Sequence, residues 1–330
     1  MLHRFFAVVI ATGLLLAMPC LSQAAKPVEF KLGIVVGDGH PYTVSALEFK
    51  KRVEELTKGQ IVVHVFHSGQ LSGSERELIE GLQIGTCDIT IPSTGPVAGF
   101  EKGFFLFNFP YLFKDLQQGY KCLDGPIGEE LAKSLEKHRI KLIGWWVNGM
   151  YAFTNSKREV KTVEDIKGLK IRCMENSMHL AVYKAWGAVP TPMAFGEVVT
   201  ALQQGTADGQ ENADASIYAN KYYEVQKYLT LSYHYFMPAP FLIAKGKYEA
   251  LPDDLRKLFQ QAVDESVTFQ RAEYERQAKL AVDNMKAKGM IITYPDVESF
   301  KKASMSVYPE FIKQLGPDVK RWVEEIQSQQ

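Results

Sequence analysis

The early part of the chain alternates strand-like and helix-like segments, and this alternation constrains the fold more than any other feature of the sequence. Residues 30–36 and 61–66 are short runs rich in apolar and β-branched side chains, which predict two strands. Between them, apolar residues recur at helical spacing over residues 46–56. Parallel strands need a crossover connection, usually a helix. The pattern therefore predicts a βαβ unit and an α/β fold with a parallel sheet.

A segment of twelve residues recurs once, 120 positions further along the chain. Residues 77–88 read ELIEGLQIGTCD and residues 197–208 read EVVTALQQGTAD, with six identical positions. Each segment predicts an amphipathic helix, a glycine at its end and then a strand. Either two such units are similar by chance, or two lobes share one plan and face each other across a cleft. Open α/β sheets bind ligands beyond the carboxyl ends of their strands, so two such lobes would share one site.

Arg172 lies within a predicted buried strand, residues 169–174. A guanidinium group does not lose its charge, so its burial requires an anionic partner. In the sequence, Glu175 is the nearest candidate for that partner. Arg172 therefore either forms an internal ion pair or receives its partner from outside as a ligand.

Eight motifs in one order carry a resemblance that covers nearly the whole chain beyond residue 24. The motifs are HP at 40–41, QL at 70–71, FNFPYLF at 107–113, GLKIR at 168–172, GAVPTPMAF at 187–195, EVVTALQQ at 197–204, DGQEN at 208–212 and YEVQKY at 223–228. In these motifs the chain resembles the solute-binding proteins of TRAP transporters, the DctP-type family of periplasmic receptors.

The resemblance implies a periplasmic-binding-protein-like α/β fold with two α/β lobes, a central cleft, crossing hinge strands and a long bracing helix. We expect lobe 1 to comprise residues 25–148 plus 238–277, and lobe 2 to comprise residues 149–237 plus 278–330. The bracing helix corresponds to a helical pattern that runs from residue 251 nearly to residue 289. The pattern alone also permits two helices with a break near residues 265–268.

The resemblance also assigns roles to particular side chains. It implies that Arg172 binds a carboxylate and that Asn212 makes a polar contact with the ligand. Beyond these two roles, Phe195 either closes over the ligand or belongs to the core, and Glu175 would orient Arg172 or meet a donor group on the ligand. A guanidinium group binds a carboxylate through two parallel hydrogen bonds and a sulfonate in a related way.

Two positions depart from the family pattern. Tyr151 stands where many members carry a second arginine, and Ala213 stands where a proline usually follows the asparagine. A pocket with one arginine and a tyrosine suits a monoanion that carries a hydroxyl or another neutral group. It argues against a dianion such as a C4-dicarboxylate. Further candidate ligand contacts lie at loop positions of the first lobe, namely His40, Glu75, Ser93 and Thr94.

The first 24 residues predict a secretory signal peptide. Residues 5–18 form an apolar run of 14 residues, too short to span a bilayer, and small residues precede a cleavage site after Ala24. The remaining 306 residues carry 37 basic and 38 acidic side chains, a net charge of −1 with histidine neutral. This balance does not suit a nucleic-acid partner.

The predicted signal peptide leads us to expect export to the periplasm.

Three cysteines follow the predicted cleavage site, namely Cys87, Cys122 and Cys173. In an oxidising compartment they permit one disulfide and one free thiol, or three thiols. The sequence does not choose between these states.

The sequence carries no motif of the common catalytic sites. It lacks a Gly-x-Ser-x-Gly elbow, a phosphate-binding glycine loop and a His-Glu-x-x-His pair, so we expect no enzyme, no metal and no cofactor. We predict a monomeric TRAP solute-binding protein that captures a small organic anion, a carboxylate or a sulfonate, and delivers it to the small and large permease subunits. The alternatives are a ligand sensor and a periplasmic enzyme that uses Arg172 as a substrate clamp. The sequence does not identify the acid.

Overall fold

Strands and helices alternate through residues 26–329, which the computed structural model describes. The predicted signal peptide, residues 1–24, lies outside the described residues. The strands are β1 (Val28–Gly33), β2 (Ile61–Phe66), β3 (Ile89–Thr90), β4 (Ile140–Asn155), β5 (Lys170–Cys173), β6 (Val189–Pro192), β7 (Gly209–Ala213), β8 (Tyr228–Thr230), β9 (Phe236–Ala244) and β10 (Ile291–Thr293). The α-helices are α1 (Pro41–Leu56), α2 (Glu75–Ile84), α3 (Thr94–Val97), α4 (Leu116–Leu123), α5 (Pro126–Ser134), α6 (Ser177–Ala185), α7 (Val198–Gln204), α8 (Asp214–Ala219), α9 (Lys245–Glu249), α10 (Asp253–Ala287), α11 (Val297–Ser304), α12 (Tyr308–Leu315) and α13 (Pro317–Gln327).

The order of the strands is symmetric about a central antiparallel pair. Along the sheet it runs β2-β1-β3-β9-β4-β7-β5-β6, while β8 pairs with β4 and β10 pairs with β8. On one side β1 is parallel to β2 and β3, and on the other side β5 is parallel to β6 and β7. We call the half that contains β1–β3 the first lobe and the half that contains β5–β7 the second lobe. The predicted fold class, two α/β lobes joined by crossing strands, is confirmed.

The recurring segment occupies the same place in both lobes. In each copy a helix, α2 or α7, ends at a glycine in the left-handed conformation, and an aspartate follows just before the next strand. Asp88 Oδ2 accepts a hydrogen bond of 2.7 Å from the backbone N–H of Lys31, at the strand β1. Asp208 Oδ2 accepts the equivalent bond of 2.9 Å from the backbone N–H of Lys170, at β5. The similarity therefore reflects two lobes built on one plan.

The strand β4 passes from one lobe to the other near Gly149. It pairs with β9 up to Met150 and with β7 from Tyr151 onwards, and its register shifts between Val147 and Gly149. Gly149 has φ = 132°, and a Cβ atom there would lie 2.0 Å from the hydroxyl of Tyr274. Only glycine fits this backbone conformation and this close approach. The lobe boundaries drawn from the sequence remain a prediction.

The helix α10 spans both lobes as one unbroken element of 35 residues, about 50 Å long at the usual rise. In the first lobe its Phe259 packs on Phe30, with ring centroids 5.2 Å apart. In the second lobe its Met285 is fully buried. Between these ends the side chain of Gln270 makes two hydrogen bonds, of 2.9 and 2.8 Å, with the backbone of Val147 on β4. Neither α10 nor another helix within residues 26–329 is apolar over enough length to cross a membrane.

The three described cysteines are free thiols. Cys87 and Cys173 are buried and Cys122 is partly buried. Burial raises the pKa of the Cys87 thiol to about 11, so this group stays protonated at neutral pH. Of the two states that the sequence permits, the structure shows three unpaired thiols, and hydrophobic packing holds the described part of the chain together.

Candidate ligand-binding site

A narrow cavity lies between the two lobes, beyond the carboxyl ends of their parallel strands. Its walls come from both lobes and from β4. Seven of the nine predicted ligand contacts line it, namely His40, Glu75, Ser93, Tyr151, Arg172, Phe195 and Asn212. These residues are far apart in the sequence, and the fold brings them together.

The other two predicted contacts lie elsewhere. Glu175 lines a second cavity, which adjoins the first and shares Glu75, Arg172 and Phe195 with it. The prediction that Thr94 contacts the ligand is not supported, because Thr94 does not line either cavity. Its side chain is buried, and its hydroxyl group bonds to the sulfur of Met237 at 3.0 Å.

The guanidinium group of Arg172 is buried without a carboxylate partner among residues 26–329. The residue is only 3 % exposed. Its Nε and Nη2 atoms donate to the backbone carbonyl of Met193 at 3.2 and 2.9 Å. No described carboxylate lies within 4.0 Å, and Glu175 is exposed rather than paired with Arg172. Since a buried charge requires an opposite charge, the geometry favours an anionic ligand over the internal ion pair.

Asn212 lies beside Arg172 because their strands are parallel neighbours. In the register of β5 and β7, Arg172 pairs with Gln210, so Asn212 falls at the carboxyl end of β7. The Oδ1 atom of Asn212 accepts a bond of 2.9 Å from the backbone N–H of Ala213, which a proline at that position could not make. The amide nitrogen of Asn212 is then the group available to donate to a ligand.

Glu75 provides a carboxylate on the opposite wall of the cavity. It is the first residue of α2, and its oxygens accept bonds from Ser93, 2.9 Å from the backbone N–H and 2.7 Å from the hydroxyl. Burial raises the pKa of Glu75, and the bonds from Ser93 and the charge of Arg172 oppose that rise. The cavity therefore presents donors on the second lobe and an acceptor on the first.

His40 lies at the start of α1 and is held from both sides. Its Nδ1 atom accepts from the backbone N–H of Tyr42 at 3.1 Å, and its Nε2 atom lies 2.8 Å from Ser216 Oγ on the second lobe. Burial lowers the pKa of His40 to about 3, so the imidazole is neutral at physiological pH.

Buried His40 should make the protein less stable in acid. Its folded-state pKa of about 3 lies below its ordinary value of 6.5, so the unfolded chain binds the proton first. Its contribution to stability is complete above pH 6.5 and falls by up to about 1.4 kcal/mol per pH unit towards pH 3. Urea unfolding between pH 7 and pH 4 should show a shallower loss of unfolding free energy for His40→Gln than for the wild type. Equal slopes for the two proteins would contradict this assignment.

Sequence reasoning missed several residues that line the cavity. Tyr42, Asn148, Met174 and Ser216 line it together with the predicted residues. Tyr42 and Met174 each follow a predicted contact by two positions, and Ser216 follows Asn212 by four. Each of these three residues lies within four positions of a predicted contact, so extending the predictions along the sequence by four residues would have included them. Asn148 entered the sequence analysis only as the last residue of a predicted first-lobe segment, residues 25–148.

The two lobes touch directly at the mouth of the cleft. Phe195 of the second lobe packs against the hydrophobic core of the first lobe. The backbone N–H of Gly196 donates to the carbonyl of Gly73 at 3.0 Å, between the segments that precede α7 and α2. A Cβ atom at Gly196 would lie 3.1 Å from the Cα atom of Gly73. The structure therefore shows a closed cleft in which two glycines permit the closest approach.

Gly196→Val should hinder closure without touching a ligand. The branched side chain would meet the backbone of Gly73, so the closed form should lose stability and ligand affinity should fall by about tenfold or more. Gly246→Val is the matched control, because a Cβ atom at Gly246 meets nothing within 4 Å. Calorimetric titration of both variants with one acid measures the difference. Equal affinities would show that the glycine contact does not limit closure.

The fold and the site together define a class of protein. Two α/β lobes with a buried guanidinium between them, which has no carboxylate partner among residues 26–329, are typical of a binding protein for a small anionic solute. The chain belongs to the bacterial extracellular solute-binding protein family 7, the DctP family, whose sequence profile matches residues 32–314. Family membership agrees with the prediction of a binding protein rather than an enzyme.

Similar proteins match over almost the whole chain. A solute-binding protein of Verminephrobacter eiseniae is 39% identical over 310 residues, which cover 94% of this chain and 91% of the relative. A TRAP periplasmic solute-binding protein from Polaromonas sp. JS666, solved with D-erythronate, is 36% identical with a TM-score of 0.87, covering 91% of this chain and 98% of the other. The sugar acid binding protein DctPAm of Advenella mimigardefordensis, solved with galactonate, is 32% identical with a TM-score of 0.88, covering 92% and 99%.

Proposed function

We propose that this protein is the periplasmic solute-binding subunit of a TRAP transporter and that it captures a hydroxylated monocarboxylic acid of the sugar-acid class. Lobe closure buries the acid, and the closed protein delivers it to the small and large permease subunits. The observation that carries the proposal is the buried guanidinium of Arg172, which has no carboxylate partner in residues 26–329 and faces the cavity between the lobes.

The polar groups of the cavity match the parts of such an acid. Arg172 and the amide nitrogen of Asn212 are donors suited to a carboxylate. Glu75 is an acceptor suited to a hydroxyl group of the ligand. A second carboxylate on the ligand would lie in the same small cavity as Glu75 and would find Tyr151 in place of a second cation. The charges therefore favour a monoanion with hydroxyl groups over a dianion.

The relatives support this ligand class. D-erythronate and galactonate, the ligands of the two solved relatives, are both hydroxylated monocarboxylates.

A ligand panel tests the proposal. The mature protein should be unfolded, washed free of co-purified ligand, refolded and titrated calorimetrically with D-erythronate, D-galactonate, D-glucuronate, succinate and isethionate. We expect an aldonate to bind at least about 100-fold more tightly than succinate, because the dianion meets Glu75 without a second cation. Tightest binding of succinate or of the sulfonate would overturn the proposed class, and so would binding of none. Mass spectrometry of the co-purified ligand provides an independent identification.

Ligand binding should also make the protein more compact. The lobe boundaries proposed from the sequence, residues 25–148 plus 238–277 against 149–237 plus 278–330, place Glu75 and Arg172 on opposite lobes. A ligand that touches both stabilises only the closed form, since equal contacts in both forms would shift nothing. Small-angle scattering should show a smaller radius of gyration at saturating ligand. An unchanged radius, with binding confirmed by calorimetry, would instead indicate a rigid pocket.

A further inference from the structure

Five residues form a continuous chain of hydrogen bonds along one wall of the cavity. The backbone N–H of Tyr42 bonds to His40 Nδ1 at 3.1 Å, and His40 Nε2 lies 2.8 Å from Ser216 Oγ. Ser216 Oγ bonds to Asn148 Oδ1 at 3.0 Å, and Asn148 Nδ2 bonds to the hydroxyl of Tyr151 at 3.0 Å. We call these five residues the hydrogen-bond chain. All five are buried, and all five line the cavity.

The chemistry of its first member gives the hydrogen-bond chain a single direction. A backbone N–H can only donate, so His40 Nδ1 must accept, and a neutral imidazole then carries its proton on Nε2. His40 therefore donates to Ser216, whose hydroxyl proton is free to bond to Asn148 Oδ1. The amide nitrogen of Asn148 donates in turn to the oxygen of Tyr151. At each link one group donates and the next accepts. Tyr151 is the last acceptor, so its own hydroxyl proton makes no bond within the hydrogen-bond chain.

We propose that the hydrogen-bond chain fixes the Tyr151 hydroxyl as an obligatory donor to the ligand, so that this wall of the cavity selects for an acceptor oxygen on the acid held by Arg172. This inference rests on the proposed function. Tyr151 is the residue that determines specificity, and His40, Ser216 and Asn148 are positioning residues. The donor is neutral, so it supports one carboxylate without the second positive charge that a dianion requires.

The hydrogen-bond chain also crosses the cleft. His40 belongs to the first lobe, Ser216 to α8 of the second lobe, and Asn148 and Tyr151 to β4, which joins them. The link between His40 and Ser216 exists only while the lobes are closed. Orientation of the Tyr151 donor is therefore coupled to closure, and an acid with an acceptor oxygen at this wall stabilises the closed form.

Asn148→Asp tests the direction of the hydrogen-bond chain with almost no change of shape. The affinities are measured at pH 8 to favour the ionised carboxylate, which still accepts from Ser216 but can no longer donate to Tyr151. Tyr151 must then donate to this carboxylate, and the ligand loses its donor. The affinity for the tightest-binding aldonate of the panel, D-erythronate or D-galactonate, should be measured for the wild type, Asn148→Asp, Tyr151→Phe and the double variant.

The effects of the two substitutions on the binding free energy should be strongly non-additive. In the wild-type background Tyr151→Phe should weaken binding by about 10- to 100-fold, the usual range for a bond to a charged group. In the Asn148→Asp background the same change should weaken it by less than about twofold, because the donor is already lost. Tyr235→Phe is the matched control, a buried tyrosine of the second lobe outside the cavity lining, and should leave affinity unchanged. Equal losses in both backgrounds, or no loss from Tyr151→Phe, would overturn the proposal.

A second measurement needs no ligand. Nitrogen chemical shifts of labelled protein report which ring nitrogen of His40 carries the proton. We expect the Nε2–H tautomer, and the Nδ1–H tautomer would overturn the direction of the hydrogen-bond chain. If none of the three sugar acids of the panel, D-erythronate, D-galactonate and D-glucuronate, binds, the proposed function fails whatever the tautomer. If one of them binds and the tautomer or the affinity cycle disagrees, the proposed function stands and only the role of the hydrogen-bond chain is overturned.

Discussion

Arg172→Ala is expected to abolish ligand binding while leaving the fold intact. The wild-type guanidinium would hold the carboxylate by charge-assisted hydrogen bonds in a desolvated cleft. Its loss should cost about 3–5 kcal/mol, partly because the ligand's charge is left unpaired, which corresponds to a weakening of about 150-fold to several thousandfold. The unliganded protein should not lose stability, because Arg172 bonds only to the carbonyl of Met193 and is paired with no carboxylate among the described residues.

Calorimetry and urea unfolding separate these two effects. Arg172→Lys keeps the charge but lacks the planar pair of donors, so it should bind more weakly than the wild type and more tightly than Arg172→Ala. Arg158→Ala is the matched control, because Arg158 also donates to a backbone carbonyl, that of Asp165, but lies outside the cavity lining. Binding by Arg172→Ala within about tenfold of the wild type would place the anion site elsewhere.

Glu211→Ala is expected to lower the stability of the folded protein without removing a direct contact to the ligand. Glu211 follows Gln210 on β7 and is fully buried. Its carboxylate bonds to His179 Nδ1 at 2.5 Å and to His234 Nε2 at 3.5 Å. Burial alone would raise the pKa of Glu211, but the two histidines outweigh it and hold the pKa well below the usual range. Removal of the carboxylate from this buried cluster should lower the unfolding free energy by about 3–5 kcal/mol.

Urea unfolding at neutral pH measures that loss. Glu211→Gln should lose less than Glu211→Ala, because the amide keeps an acceptor for His179. The exposed Glu224 provides the control, and Glu224→Ala should change the unfolding free energy by less than about 0.5 kcal/mol. Because the folded-state pKa of Glu211 is lowered, its stabilising effect is present above its ordinary pKa of 4.5 and is lost as the pH falls further. If Glu211→Ala had the same unfolding free energy as the wild type, the cluster would contribute nothing to stability.

The elements that depend on local patterning could be predicted from the sequence. Helical and strand-like periodicity predicted the alternating units, because residues close together in the sequence determine which face of a helix or strand is buried. For α10 the pattern also permitted two helices, and the family resemblance favoured the single long helix that the structure shows. Ends of strands were less certain. Residues 30–36 were expected to form the first strand, but β1 is Val28–Gly33. Ile34 and Val36 stay buried after the strand pairing has ended, so their apolar character could not mark its end.

The candidate site, like the fold, could be predicted from the sequence only in part. The sequence showed that Arg172 needs an anion, because a guanidinium stays charged wherever it is placed. The family resemblance and the loop positions of the first lobe together supplied six further predicted residues that line the cavity. Only the tertiary structure showed that Arg172 has no carboxylate partner among the described residues. It also showed that Ser93 lines the cavity, whereas its neighbour Thr94 does not. It also decided the bond between His40 and Ser216, which are 176 residues apart. Such a bond depends on how two lobes pack and on the single strand that joins them, and no local pattern of residues encodes that geometry.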